Sequence, residues 1–86
     1  MALFPVISNF QYDFVLQLVP VDTDNTIDEV AAAAAHHSVG RRVAPQPGTV
    51  VRVRRQGAAA FFPRQARLHE TDIQPMETLE FIFCEG

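Results

Sequence analysis

The spacing of hydrophobic positions changes along this 86-residue chain, and each change predicts an element. VISNF, and then DFVLQLVPV from Asp13 to Val21, are rich in β-branched and large apolar side chains; they predict two strands joined as a hairpin through Gln11 and Tyr12. Pro5 would remove a ladder bond from mid-strand, so the first strand is expected to begin near Val6. The period then changes. Thr26, followed three residues later by Glu29, forms a capping box, with Asp28 and Glu29 at the positive end of the helix dipole. The predicted helix runs from Ile27 to about Val39, where Gly40 can adopt the left-handed conformation that ends it. At about 100° per residue, Ile27, Val30, Ala31, Ala34 and Ser38 share one side, a shallow stripe suited to close packing on a sheet.

Period two returns after an extended connector, RRVAPQPG. TVVRVRR alternates, with Val51 and Val53 on one face and Arg52 and Arg54 on the other. Gly57 marks a turn, AAFFP reads as a short strand stopped by Pro63, and RLHETDIQP is a turn-rich excursion with room for one helical turn. TLEFIFCE closes the series as a strand, with Leu79, Phe81 and Phe83 facing one way and Glu80, Ile82 and Cys84 the other. The order is strand, strand, helix, strand, short strand, strand. It predicts an α+β fold: one helix packed across a mixed sheet of about five strands, as in the β-grasp of ubiquitin-like domains.

Composition narrows the classes. Apolar residues make up 48% and charged residues 20%, which fits a single globular domain over residues 1–86 and not a disordered segment. A chain of this size buries roughly 60% of its unfolded surface, so its core is small. No apolar run approaches the ~20 residues that span a bilayer, and residues 1–20 lack a basic start and a small-residue cleavage site. The expected location is cytoplasmic, with no membrane partner. All seven arginines lie between Arg41 and Arg67, a stretch without acids, while the ten carboxylates lie outside it and lysine is absent. That segregation predicts a basic edge suited to docking.

Candidate chemistry is sparse. His36 and His37 are adjacent on a helix and diverge by about 100°, so they cannot both address one ion, and no HxxxH spacing is present. His69 beside Glu70 has no nucleophile or oxyanion motif nearby. Cys84 is the single cysteine and has no ligand-spaced companion. The glycines are scattered, which leaves no phosphate-cradling loop. No catalytic, cofactor-binding or metal-binding residue is therefore expected. Arg52 and Arg54 beside Phe61 and Phe62 could line a groove for single-stranded nucleic acid, but an acidic chain of net charge −3 is a poor polyanion binder. Arginine with phenylalanine and proline, and without lysine, is a composition enriched at protein interfaces.

The helix start TIDEVAAAAA, the proline-bearing loop after Gly40 and DIQPMETLEFIF resemble ubiquitin. A modifier or sulfur carrier needs a Gly-Gly tail, whereas here the sequence reads Phe83-Cys84-Glu85-Gly86. Conjugation at Gly86 is not expected. FPVISNFQYDFVLQLVPVDTDNTIDEVA, GRRVAPQPG, VRVRR, FFPR and ETLEFIF resemble, in order and along nearly the whole chain, the small subunit of the hydroxylase in bacterial toluene and benzene monooxygenases. RRVAP and FPR set this resemblance apart from generic ubiquitin-like domains.

The resemblance implies a noncatalytic accessory subunit of a multicomponent diiron hydroxylase, assembled from paired large, middle and small subunits. The diiron centre would belong to the large subunit. Electrons would arrive through a Rieske-type ferredoxin and a reductase, and an effector protein would complete the system. From residue type and the resemblance, the expected partner interface comprises Arg41, Arg42, Pro45, Arg52, Arg54, Phe61, Phe62, Pro63 and Arg64. The alternative is a ubiquitin-like protein-interaction or single-strand-binding module using the same Arg and Phe surface.

Overall fold

The computed structural model describes residues 2–85. Its elements are β1 (Leu3–Phe10), β2 (Gln17–Asp22), α1 (Ile27–Ser38), β3 (Thr49–Arg55), a 3₁₀ turn (Leu68–Glu70) and β4 (Thr78–Glu85). The sheet order is β2-β1-β4-β3, with the central β1–β4 pair parallel and both flanking pairs antiparallel. Helix α1 lies across one face, giving the mixed α+β arrangement expected from the element order. Gly86, on which the conjugation reading turns, lies outside the described residues.

The helix forms where its local signals place it. Thr26 Oγ1 accepts from the Glu29 amide at 3.2 Å, and Glu29 Oε1 accepts from the Thr26 amide at 2.8 Å. The Ile27 and Asp28 amides donate to the carbonyls of Ala66 and Arg64, so a distant loop satisfies the rest of the helix start. Ile27, Val30, Ala31, Ala34 and Ser38 are its buried residues, the stripe read from the sequence. They meet Val6, Phe10, Val19, Val21, Val53, Leu79 and Phe81 of the sheet, with Val43, Leu68 and Ile73 closing the core's ends. Phe10 and Phe81 stack at 6.0 Å between ring centres, and Phe83 meets Phe10 edge-on at 5.5 Å.

One strand and two strand starts differ from expectation. The sheet has four strands rather than about five, because AAFFP makes only a single bridge, Phe61 to Arg54. The Phe62 amide donates to the Val53 carbonyl at 2.8 Å, and Pro63, which has no amide, stops the pairing there. The second strand starts at Gln17 and not at Asp13. Tyr12 turns the chain with a φ of 70°, and the Asp13 carboxylate caps the Val15 amide at 3.0 Å, which takes residues 13–16 out of the ladder.

The first strand begins at Leu3 and runs through Pro5. Pro5 stands directly opposite Pro20. Opposed residues in an antiparallel pair alternate between those that exchange hydrogen bonds and those that do not. Two prolines fit the second kind, in which neither amide is called upon. The Pro5 carbonyl instead accepts from the Met76 amide at 2.7 Å.

No helix among the described residues is long and apolar enough to cross a membrane.

Candidate functional site

Strand alternation places the even-numbered residues of β1 and the odd-numbered residues of β2, β3 and β4 under the helix. The opposite sheet face carries Leu3, Pro5, Ile7 and Asn9 from β1, Leu18, Pro20 and Asp22 from β2, Val50, Arg52 and Arg54 from β3, and Thr78, Glu80, Ile82 and Cys84 from β4. Arg54 stands opposite Glu80 and Arg52 opposite Ile82.

Phe61 completes this surface. Its ring lies under two guanidiniums, with the Arg52 Cζ 5.3 Å and the Arg54 Cζ 5.6 Å from its centre. Arg54 Nε is bound to Glu80 Oε1 at 2.6 Å, so its charge is neutralised within the sheet. Arg52 differs: its Nη2 donates to the Phe62 carbonyl at 3.2 Å, and its buried Nε has no partner. Among the described residues no carboxylate lies within ion-pair distance of Arg52. The Nε is sealed from outside, so what the cluster offers a partner is the half-buried Arg52 charge over Phe61, which suits a carboxylate supplied from outside the chain.

The other expected interface residues are largely committed elsewhere. Arg42 binds Asp13 at 2.8 Å and the His37 carbonyl at 3.0 Å, and the Asp13 side chain has 0% exposure. Ser38 Oγ donates to the other Asp13 oxygen at 2.8 Å. The Arg42 hydrogen bond is the main influence on Asp13. Burial opposes it, Ser38, the Val15 amide and the Arg42 charge assist, and the carboxyl falls from 3.8 to about 2. Arg64 clasps Asp28 in the first helical turn at 2.9 Å. Phe62 packs against the core, and the Arg55 Cζ lies 5.6 Å from its ring centre. Arg55 also binds Asp72 at 2.9 Å and pairs with Glu77. Pro45 and Pro63 are exposed, and Arg41 is exposed with its Nε on the His36 carbonyl at 3.3 Å.

The acid-free arginine stretch is therefore not a free basic edge. Arg42, Arg54, Arg55 and Arg64 fasten it to carboxylates from the rest of the chain. The structure gathers Arg52, Arg54 and Phe61 into one cluster and leaves Arg41 and Arg42 at the helix end, away from it. The sequence reading missed Asp13 as the buried anchor; two hydroxyl or guanidinium donors arriving from the helix end are a tertiary event with no local signature.

A groove of about 250 Å³ runs between α1 and β3, lined by Asp28, Ala31, Ala32, Ala35, Val50, Val51 and Arg64. Its walls are methyl groups closed by an ion pair, which offers no nucleophile and no acid–base couple. Among the described residues, no three His, Cys, Asp or Glu side chains are grouped as a metal site requires, so these residues do not fit a diiron centre. His36 and His37 meet edge-on at 5.7 Å between ring centres.

Comparison with known proteins agrees with the element order and the fold. The family model described as toluene-4-monooxygenase system protein B (TmoB) matches residues 3–83. The chain is 42% identical over 85 residues to the toluene-4-monooxygenase system hydroxylase component subunit gamma of Ectopseudomonas mendocina, covering 99% of this chain and 100% of that one. A shorter match of 47 residues, at 53% identity, relates it to the alkene monooxygenase system oxygenase component subunit gamma of Xanthobacter autotrophicus, spanning 55% of this chain and 53% of that relative. A chain in the solved toluene 4-monooxygenase HD complex with the inhibitor 4-bromobenzoate superimposes with a TM-score of 0.91 at 41% identity, covering 95% of this chain and 99% of that one. A structure concerned with molecular mimicry of SUMO in DNA repair matches with a TM-score of 0.71 at 7% identity, covering 95% and 92%, and shares the fold alone. With its sequence aligned to a gamma subunit end to end and its fold matched in a hydroxylase structure, the chain belongs to the TmoB family.

Proposed function

We propose that this chain is a noncatalytic accessory subunit of a multicomponent diiron aromatic monooxygenase of the toluene and benzene type, packing on the large subunit that holds the diiron centre. It would work in the cytoplasm within paired large, middle and small subunits, in a system served by a Rieske-type ferredoxin, a reductase and an effector protein. Its contribution is burial of surface on the large subunit, which stabilises the assembled state by mass action. One observation carries the docking role. Arg52 is held half-buried over Phe61 with no carboxylate within ion-pair distance among the described residues, while Arg42, Arg54, Arg55 and Arg64 are already paired.

The single-strand-binding alternative loses support on the same surface. A base needs an open aromatic face to stack on, whereas the Phe61 ring lies under two guanidiniums and Glu80 takes one of the two charges. Phe62 faces the core.

Co-expression with the large hydroxylase subunit, followed by size-exclusion chromatography, tests the reading. A stoichiometric complex is expected, together with lower soluble yield of the large subunit when this chain is omitted. A chain eluting as a free monomer from cells that make the large subunit would refute it.

A further inference from the structure

The patterning of β1 and β2 differs from that of β3 and β4. In β3 and β4 the outer face alternates as a half-solvated strand does, with Arg52, Arg54, Glu80 and Thr78 among its members. LFPVI and QLVPV read instead as near-continuous apolar runs, the pattern of strands covered on both faces. Yet in the isolated chain only the inner face of β1 and β2 is covered, by α1. The outer face shows Leu3 at 76% exposure and Leu18 at 55%, with Ile7 opposite Leu18 and Pro5 opposite Pro20. Leu16 continues the alternation just ahead of β2, and Phe14 beyond it is 86% exposed.

The free edge of this pair does not invite a further strand. β2 is the outermost strand. Pro20 has no amide to offer at mid-edge, and the Asp22 amide is already given to Asn25 Oδ1 at 2.9 Å. Two of the outward positions on this edge thus offer no amide, Leu18 being the exception, so side chains on the face are the fuller contact for an approaching protein. The face carries no charged side chain from Leu3 to Ile7 or from Leu16 to Pro20. It runs through Asn9, opposite Glu80, into the Arg54, Phe61 and Arg52 cluster.

We infer that the outer face of β1 and β2, centred on Leu3, Ile7, Leu16 and Leu18, is the main contact with a partner hydroxylase subunit. That subunit would lay an apolar helical surface across the face and direct a carboxylate to Arg52. The inference rests on the accessory-subunit reading and deepens it. Charge complementarity fixes the partner's chemistry: apolar across Ile7, Leu16, Leu18 and Pro20, bounded by the Asp22 carboxylate beside Leu3, and acidic at Arg52, the unpaired cation of this face among the described residues. A sheet packed by a helix on each side is also an ordinary layered solution for strands that are apolar on both faces.

The experiment compares the wild-type chain with Leu18→Glu and with Ala32→Glu, a change on the exposed helix side, each co-expressed with the large subunit and run on size exclusion. Leu18→Glu is expected to weaken the complex at least tenfold, read as loss of co-elution on dilution, with far-UV circular dichroism unchanged; Ala32→Glu retains the complex. Hydroxyl-radical footprinting of the wild type, which needs no substitution, should show Leu3, Phe14, Leu16 and Leu18 oxidised in the free chain and protected in the complex. A complex that forms equally well with Leu18→Glu, or leaves those residues unprotected, overturns the assignment of the face while leaving the accessory reading intact. A free chain that dimerises through Leu18 assigns the face to a second copy and overturns the partner. No complex with the wild type removes both.

Discussion

Asp13 and Arg42 meet at 2.8 Å beneath the end of α1, joining the loop after β1 to the turn after the helix across 29 residues of sequence. The Asp13 side chain is sealed from solvent, whereas Arg42 keeps 25% of its own exposed. One carboxylate thereby receives Ser38, Arg42 and the Val15 amide, and leaving those donors unpaired is costly. Asp13→Ala is expected to lower the unfolding free energy by about 2 kcal/mol, measured by urea denaturation.

The same carboxylate gives the domain an acid limb. Its folded pKa lies below the unfolded value, so the stabilisation is complete above about pH 4 and is lost as the pH falls toward about 2. Asp72 is lowered through its hydrogen bond and charge contact with Arg55. Glu77 is raised by burial but lowered more by Arg55 and the Gln74 amide, so both steepen the loss in the same direction. Thermal melts between pH 2 and 5 should show a falling midpoint in the wild type and a shallower fall in Asp13→Asn. Equal slopes would place the acid sensitivity elsewhere.

Much of this fold was legible locally. Thr26 and Glu29, the helical stripe from Ile27 to Ser38 and the alternation of Leu79, Phe81 and Phe83 each depend on neighbours within a few residues. The errors arose where a distant partner decides. Pro5 is tolerated in β1 because Pro20 faces it in register, which the first strand alone cannot reveal. Arg42, Arg54 and Arg64 look like free charge in sequence, but their carboxylates lie 29, 26 and 36 residues away. The split between Phe61, on the outer face, and Phe62, against the core, agrees with adjacent side chains pointing to opposite faces, but the sequence reading placed both at the interface. The exposed face of β1 and β2 left a signal, unbroken apolar runs where alternation was due, but a strand's second cover cannot be located from its composition.

Phe10 and Phe81 form the centre of the core, each almost fully buried. Truncating an aromatic there loses its transfer energy and leaves a cavity, at about 3–5 kcal/mol for Phe81→Ala. A small domain has roughly 5–15 kcal/mol in total, so this variant should be partly unfolded at 37 °C. Phe14→Ala should change stability by less than about 0.5 kcal/mol, because the 86%-exposed ring has little to lose. Guanidinium denaturation of the pair tests both values.

The alanine run has two sides. Ala31 and Ala34 lie against the sheet at 4% and 0% exposure, where the helix approaches closely because its side chains are small. Ala34→Leu would overpack this contact and should cost about 1–3 kcal/mol. Ala32, on the exposed side, should accept leucine with a change below about 0.5 kcal/mol. Equal tolerance at both positions, read from thermal midpoints, would mean that the helix can lift from the sheet without penalty.

The arginines should separate by the effect of their removal. Arg42→Ala strands the sealed Asp13 carboxylate, so it should lower the thermal midpoint of the free chain and affect assembly only through that loss. Arg52→Ala removes a side chain that pairs with no carboxylate among the described residues and gives up one hydrogen bond to the Phe62 carbonyl, so the midpoint should move little. In the complex, a charged group that gains its acceptor only on docking is among the residues whose truncation matters most, and affinity for the large subunit should fall roughly tenfold or more. Arg52→Lys should not restore it, because a lysine ammonium cannot stack flat on Phe61 while reaching outward with a planar fork. Melting curves of the free variants beside titration calorimetry against the large subunit would separate the two roles; a large fall in midpoint for Arg52→Ala would make it a structural clamp like Arg42.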